Sequence, residues 1–541
     1  MPDRPPPTLP SRLSRFDPFD LGAALLIAAL LAAALLMVGN YSISNDEAVQ
    51  HRYGELILAY YASGFADKSV FSFQNLYLYG GLFDVVAVLL GRILPVDVYL
   101  IRHLLCALIG IGGIVATWAT ARLIAGPRAG ALAAVALAVC GPWFGAMFNH
   151  TKDIPFAAAA IGATYFMLRA VRELPHPRTR DVLAFGLLLG TALGQRPMGA
   201  LLGFYALVAI ALWIPRPIRA NDAARFFARS VLRFLPAFAL AYAIMIAAWP
   251  WAALAPLNPI RGVFAFAQFH YPIKTLLAGD MFMMADVPRW YVPTYLAIKL
   301  PLAMLIGAAL AIVLATGLVR AFSGLRARET AFIAFTALFP VILQVIAHGP
   351  AFSGMRHFTY VVPPLAVLAG IGFDTTLAVL QARQRMLAAS AALAIAVGLI
   401  WPAVTLVRLH PYEYLFFNSL AGGLRGAAQR YDTDYWVNVM HEAVVELEKF
   451  LDRENRPQPA RRYFVAVCGE RLPFEREAQT RGRLQWATDD DPADFFLATT
   501  HQNCHTAIDG NAIVTIERMG VPIGVVKDRR HLTQTAPARG E

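Results

Sequence analysis

The chain has 541 residues, 57% hydrophobic and only 15% charged, with a mean hydropathy of +0.51. Soluble globular domains carry about a quarter charged residues, so this composition excludes an ordinary soluble fold and indicates repeated membrane spans. The net charge of +11 does not point to a nucleic-acid partner. The basic residues are scattered in short segments between apolar blocks, which membrane topology explains better than a phosphate-binding surface does.

The first apolar block, 21–38, follows a head carrying Arg4, Arg12 and Arg15. No small-residue cleavage site follows it, so an uncleaved anchor is expected, with residues 1–19 as a cytoplasmic tail. About eleven spans are predicted, at 20–39, 100–119, 131–148, 154–171, 182–195, 198–214, 232–250, 293–319, 329–347, 358–374 and 387–407. Arginine clusters at 122–128, 172–180, 216–233, 320–328 and 383–385 fall in alternate connections. The positive-inside rule then puts the N-terminus inside and the C-terminus outside the membrane. Residues 40–98 form a long first external loop, and its apolar stretch 76–94, broken by Gly80-Gly81 and Asp84, is expected to lie in the interface plane.

After the bundle at 20–407, residues 408–541 are mixed and polar. A helix is expected over 437–451, and strands at 462–468, 494–499, 512–516 and 521–526. The fold class is therefore α: a polytopic membrane bundle with a small extracytoplasmic C-terminal α/β domain. Cys106 and Cys140 fall in spans and read as packing residues. Cys468 and Cys504 lie in the external part, where a disulfide is permitted. Together with His501 and His505 they could instead ligate zinc, but the spacing matches no standard site.

Four groups carry potential chemistry. Ser44-Asn45-Asp46-Glu47 follows the first span; Ser44 and Glu47 have capping-box spacing, and a carboxylate at the membrane surface can also serve as a general base. In Asn149-His150-Thr151-Lys152-Asp153, a short external turn, Asp153 opens the fourth span beside Lys152. A basic external set comprises Arg196, His270, Lys274, Arg289, Arg356 and His357; snorkelling accounts for any one of them, but together they suit an anionic headgroup. Aromatic residues crowd His410–Asn418 and Tyr431–Trp436, as an interfacial belt or as a cap on a cavity. No phosphate-binding loop, dinucleotide fingerprint, nucleophile elbow or metalloprotease helix is present.

The order of these groups resembles the GT-C glycosyltransferases of the protein-mannosyltransferase type, including the bacterial lipid A aminoarabinose transferases. The likeness covers about 20–375: the acidic pair after span one, the long loop leading into Val98-Tyr99-Leu100-Ile101-Arg102, the single Asp153 opening span four, and Arg356 ahead of Val361-Val362-Pro363-Pro364-Leu365. Many relatives carry a His-Pro-Pro run where this chain has Phe73-Gln74-Asn75-Leu76-Tyr77. The resemblance implies an inverting transfer from a polyprenyl-phosphate sugar to a lipid, glycan or protein acceptor outside a bacterial inner membrane, among membrane lipids and without cofactor or metal. By motif position it implies Asp46, Glu47 and Asp153 as the catalytic acids. Lys152, Arg356, His357, Arg196, Arg102 and Lys274 are then the donor-phosphate ligands. The competing class is a transporter or lipid-linked sugar flippase, disfavoured because the acids cluster on one side and no internal repeat is evident.

Overall fold

The computed structural model describes residues 17–267, 271–316, 324–454, 462–479, 482–488 and 492–533. Arg4, Arg12, Arg15, His270 and Arg320 lie outside the described residues. The helices that build the membrane part are α1 (Pro18–Met37), α2 (Glu47–Ala62), α3 (Leu82–Ile93), α4 (Val98–Ala125), α5 (Pro127–Ala138), α6 (Asp153–Arg172), α7 (Thr179–Leu193), α8 (Ala200–Leu212), α9 (Ala220–Ala248), α10 (Tyr291–Lys299), α11 (Leu302–Ala315), α12 (Gly324–Ala347), α13 (Val362–Arg383) and α14 (Arg385–Leu409).

Local chemistry sets several of these boundaries. Asp17 accepts from the Phe19 N–H at 2.9 Å, and Pro18 occupies the first turn of α1, where its missing N–H costs nothing. Asp97 caps α4 through the Tyr99 and Leu100 N–H groups at 2.9 and 3.2 Å. Gly126, at φ +94°, separates α4 from the Pro127 that opens α5.

Among the described residues, seven helices are long and apolar enough to cross a membrane, or nine if two bent pairs each count as one span. The expected eleven is not confirmed. The span read at 131–148 is α5 plus a short helical stretch, Gly141–Asn149, bent by 71°, and α10 with α11 is bent by 113°. The 182–195 and 198–214 readings fall on α7 and α8, of 15 and 13 residues. The 76–94 stretch is a 3-10 turn, Leu76–Leu78, followed by α3, which buries Phe83, Asp84, Ala87 and Val88 and exposes Val86 and Leu89.

Small residues let the helices approach closely. A Cβ on Gly372 of α13 would meet the Gly307 carbonyl oxygen of α11 at 2.0 Å, and one on Gly186 of α7 would meet the Ala237 backbone of α9 at 2.6 Å. Ion pairs collect at one end of the bundle: Arg122–Asp20, Arg128–Asp374, Arg172–Glu329 and Arg169–Asp181. These residues sit near the C-terminal ends of α4 and α6, toward the N-terminal ends of α1, α5, α7 and α12, and, for Asp374, in the C-terminal half of α13. The first loop docks at the other end, where the Leu82 and Gly81 N–H groups donate to the carbonyls of Gly194 and Ala248, just past α7 and at the last residue of α9.

A hairpin of β1 (Lys274–Leu277) and β2 (Asp280–Met283), which the sequence pattern does not reveal, precedes α10. After α14, helices α15 (Met440–Glu454) and α16 (Arg471–Gln479) pack on a mixed sheet of β3 (Tyr463–Cys468), β4 (Leu484–Trp486), β5 (Phe495–Thr499), β6 (Asn511–Arg518) and β7 (Val521–Asp528). The strand order is β4-β3-β5-β7-β6, with β3 parallel to β4 and β5 and the other pairings antiparallel. All five residues of β5 are buried, as a central strand requires. Cys468 and Cys504 form a disulfide with Cα atoms 6.3 Å apart, so the alternative zinc set loses its two thiolates.

The sheet is fastened to the last membrane helix. Arg518 donates to the His410 carbonyl at 3.0 Å and to Glu442 at 2.6 Å. Glu413 accepts from the Tyr41 hydroxyl at 3.0 Å and lies 2.7 Å from His410 Nδ1, joining the exit of α14 to the exit of α1.

The α11–α13 contact gives a direct test. Gly372→Val should overpack it at a cost of about 1–3 kcal/mol, lowering the detergent-phase unfolding temperature, whereas Gly112→Val, where a Cβ meets nothing within 4 Å, should leave that temperature unchanged.

Candidate active site

The acidic pair after α1 divides its work. Glu47 is fully buried, and its carboxylate accepts from the Ser44 N–H at 2.8 Å, which is the return half of a capping box. It also lies 3.1 Å from His103 Nε2 and 3.7 Å from Arg102 Nε. Asp46 occupies the N-cap position of α2 but makes no side-chain cap bond. Its carboxylate, 43% exposed, pairs with Arg356 Nη1 at 3.2 Å. Because Glu47 supplies the cap, Asp46 keeps an open carboxylate. Glu47, expected beside it as a second catalytic acid, is enclosed and turned toward α4, a positioning arrangement.

Arg102 is likewise removed from any opening. It has 0% exposure and donates to Asp84 at 2.9 Å and to Thr151 Oγ at 3.0 Å. Thr151 in turn donates to Gln50 at 2.8 Å. Asn149 donates to the Ser42 carbonyl and accepts, through its own carbonyl, from the Ser44 hydroxyl, both at 3.4 Å. The 149–153 turn is thus laced to α2, α3, α4 and the strand-like stretch leaving α1. This network holds Arg102 as an internal tie; it does not leave it as the donor-phosphate ligand expected from the sequence.

Asp153, the first residue of α6, is buried and ion-paired with Arg196, which precedes the turn into α8. Lys152 lies 3.7 Å from the ring centroid of Tyr79, whose carbonyl accepts from the Tyr53 hydroxyl at 2.9 Å. Burial pushes the Lys152 ammonium down to about 8, with Asp84 the foremost opposing charge and Asp46 and Asp153 acting with it. Burial also raises the Tyr79 phenol and holds the His150 imidazole well below its usual range, so His150 is neutral at pH 7.

Arg356 has a platform built largely from the C-terminal part of the chain. Its guanidinium sits 4.4 Å from the Trp436 ring centroid and 5.2 Å from that of Phe352, and its Nε donates to His357 Nε2 at 3.4 Å. Trp436 in turn packs 4.5 Å from the His150 ring, and its carbonyl accepts from the Asn45 N–H at 3.3 Å. Of the 431–436 aromatics, Trp436 packs on Arg356 and His150, whereas Tyr431 packs against Tyr295 and Phe417.

Of the expected residues, Asp46, Arg356, His357, Lys152, Asp153 and Arg196 share one neighbourhood. Lys274 does not join them. It is exposed on β1, and its carbonyl accepts from Gln502 at 2.8 Å, on the side of the C-terminal sheet. Arg289 donates at 2.8 Å to the carbonyls of Val345 and Ile346 at the end of α12. Sequence reading missed Tyr79 under Lys152, and His103 and Asp84 as the partners that immobilise Glu47 and Arg102. Their only signal was an acid or histidine inside an apolar run.

The family described as dolichyl-phosphate-mannose-protein mannosyltransferase matches residues 97–251, which run from the cap of α4 past the end of α9 and include Arg102, Lys152, Asp153 and Arg196. The match covers 155 of the 541 residues and is a likeness to that family over this stretch. Among solved structures, the chain is similar to ArnT from Cupriavidus metallidurans bound to undecaprenyl phosphate, at 16% identity and a TM-score of 0.47, covering 93% of this chain and 97% of that one. It is also similar to the oligosaccharyltransferase AglB from Archaeoglobus fulgidus in complex with an inhibitory peptide and a dolichol-phosphate, at 12% identity and a TM-score of 0.47, covering 88% and 69%. Arabinofuranosyltransferase AftD from Mycobacteria follows at 13% identity and a TM-score of 0.43, covering 93% and 40%. No curated protein matches the chain.

The division between the two acids is measurable. Glu47→Ala leaves His103 and Arg102 short of a buried acceptor and should cost about 3–5 kcal/mol of stability, read as a fall in unfolding temperature. Asp46→Ala, at an open site, should leave that temperature unchanged.

Proposed function

We propose that this chain is a membrane glycosyltransferase that moves a sugar from a polyprenyl-phosphate donor to a hydroxyl acceptor, with inversion, at the site of Asp46 and Arg356. The observation that carries this reading is their 3.2 Å pair: a carboxylate open to solvent beside a guanidinium held on an indole face. Proton acceptor and phosphate ligand are thus both present at one site, and their side chains part to opposite faces of the anomeric carbon when the sugar lies between them.

In the proposed reaction Asp46 takes the proton of the acceptor hydroxyl as its oxygen bonds to the anomeric carbon. The bond from that carbon to the lipid phosphate oxygen breaks, and the phosphate departs from the opposite face with the electron pair. Arg356, Arg196 and Lys152 offset the charge that grows on it. Arg196 remains paired with Asp153 while doing so, which fixes the direction of its fork. Arg102 and Glu47 are assigned positioning roles: they hold the turn that bears Lys152 and Asp153 against α2, which bears Asp46. The site faces the extracytoplasmic side of a bacterial inner membrane, with the N-terminus cytoplasmic and the C-terminal domain periplasmic. That orientation puts the arginine-rich end of the bundle inside.

Asp46→Asn should lower transfer of label from a polyprenyl-phosphate sugar by about 10²–10⁴-fold while the protein still binds undecaprenyl phosphate. Near-normal turnover in that variant would remove Asp46 as the base. Arg356→Ala should cost about 10²–10³-fold and weaken lipid-phosphate binding as well. Lys152 carries its proton below about pH 8 and loses it above. Lipid-phosphate affinity should therefore fall as pH rises through 8, and Lys152→Gln should flatten that part of the profile.

A further inference from the structure

At the end of the bundle away from Asp46, the acids are taken up by arginines and several arginines are left over. Asp20 takes Arg122, Asp181 takes Arg169, Glu329 takes Arg172, Glu173 takes Arg178, and Asp374 takes both Arg128 and Arg326. Among the described residues, no carboxylate lies within ion-pair distance of Arg216, Arg219, Arg229 or Arg233. Arg225 has only Asp222, 3.8 Å away, and is itself 72% exposed.

The surplus charge is arranged as well as unpaired. Arg225, Arg229 and Arg233 recur every four residues and form one exposed column on α9, with successive members about 6 Å apart along the axis. Helix α9 has 29 residues, about 43 Å, against a hydrocarbon thickness of about 30 Å. Its Ala248 end is bonded to Gly81 at the Asp46 end, so the excess length emerges at the arginine end. That places the column at headgroup depth. Leu232 and Leu235 beside it are 66% and 59% exposed and offer apolar contact to acyl chains. A cavity of about 680 Å³, lined by Ala211, Ile214, Arg216, Pro217, Ile218 and Ala223, opens at the start of the same helix.

We propose that Arg225, Arg229 and Arg233, with Arg216 in the adjoining cavity, form a binding site for an anionic phospholipid of the leaflet opposite the catalytic opening. A lipid with two phosphodiesters on one headgroup, diphosphatidylglycerol, matches the column best, because two successive arginines can each fork a phosphate. The site is separate from the donor site: α8 alone puts about 20 Å between Arg196 and Arg216.

The test is native mass spectrometry of the detergent-solubilised full chain with added diphosphatidylglycerol, and in parallel with phosphatidylethanolamine. Each arginine near the headgroups is worth roughly a fivefold change in affinity. Arg225→Gln/Arg229→Gln/Arg233→Gln should therefore bind diphosphatidylglycerol about 100-fold more weakly than the unaltered protein. The double variant Arg383→Gln/Arg385→Gln removes two exposed arginines from the same end but from other helices, and it should stay within about threefold. Phosphatidylethanolamine binding should be the same in all three. If the triple variant does not fold, Arg229→Gln alone should weaken diphosphatidylglycerol about fivefold. Equal losses in the triple and the control variants, or no loss in the triple or in Arg229→Gln, would overturn the proposal, since the attraction would then be diffuse or absent.

Discussion

A fully buried guanidinium holds the Asp46 end of this protein together. Arg102 rises from α4 into a space bounded by α2, α3 and the 149–153 turn, and meets Asp84, Glu47 and Thr151 there. Moving a charge into such a place is costly unless several partners receive it. That requirement explains why acids occur inside otherwise apolar segments. Asp84 interrupts an amphipathic helix, and Glu47 spends its carboxylate inward. Loss of any one partner leaves the others charged and enclosed, so loop, turn and helices keep one mutual arrangement. Asp46, Lys152 and Arg356 are carried on that frame, and of the three only Asp46 is open.

Much of the membrane part was legible because lipid demands long apolar runs and arginines gather between them. The broken spans were less so. A run of apolar residues says nothing of a 71° or 113° bend, which depends on Cys140-Gly141-Pro142 and on the Lys299-Leu300-Pro301 junction finding neighbours. In the C-terminal part the β-branched and aromatic runs fell close to β3, β5, β6 and β7. The three-residue β4 and the hairpin at 274–283 did not stand out, since neither has enough residues to show a period.

For the site, residue type and order identified the neighbourhood but not the assignment within it. Asp46 and Glu47 are adjacent acids in one tetrapeptide, and local spacing marks the pair as a cap. Only the fold separates them, giving the cap to Glu47 and the opening to Asp46. Arg102 and Lys274 illustrate the same limit from the basic side. A sequence shows that a cation lies near a membrane boundary, but not whether it faces inward to three partners or outward on a hairpin. The aromatic cluster at 431–436 was readable as an interface belt or a cavity cap, and the packing of Trp436 on Arg356 favours the second.

That packing also orders events during biosynthesis. The helices bearing Asp46, Lys152, Asp153 and Arg356 are all made before residue 384, whereas the indole beneath Arg356 belongs to a segment held down by β5 and β7, through Thr499 to Asp434 and through Val439 against Gly524. A nascent chain can therefore have every membrane helix in place and still lack the surface that orients its guanidinium. Maturation of the pocket is tied to completion of the sheet, and a ribosome-bound or C-terminally clipped chain is an inserted protein with an unfinished site.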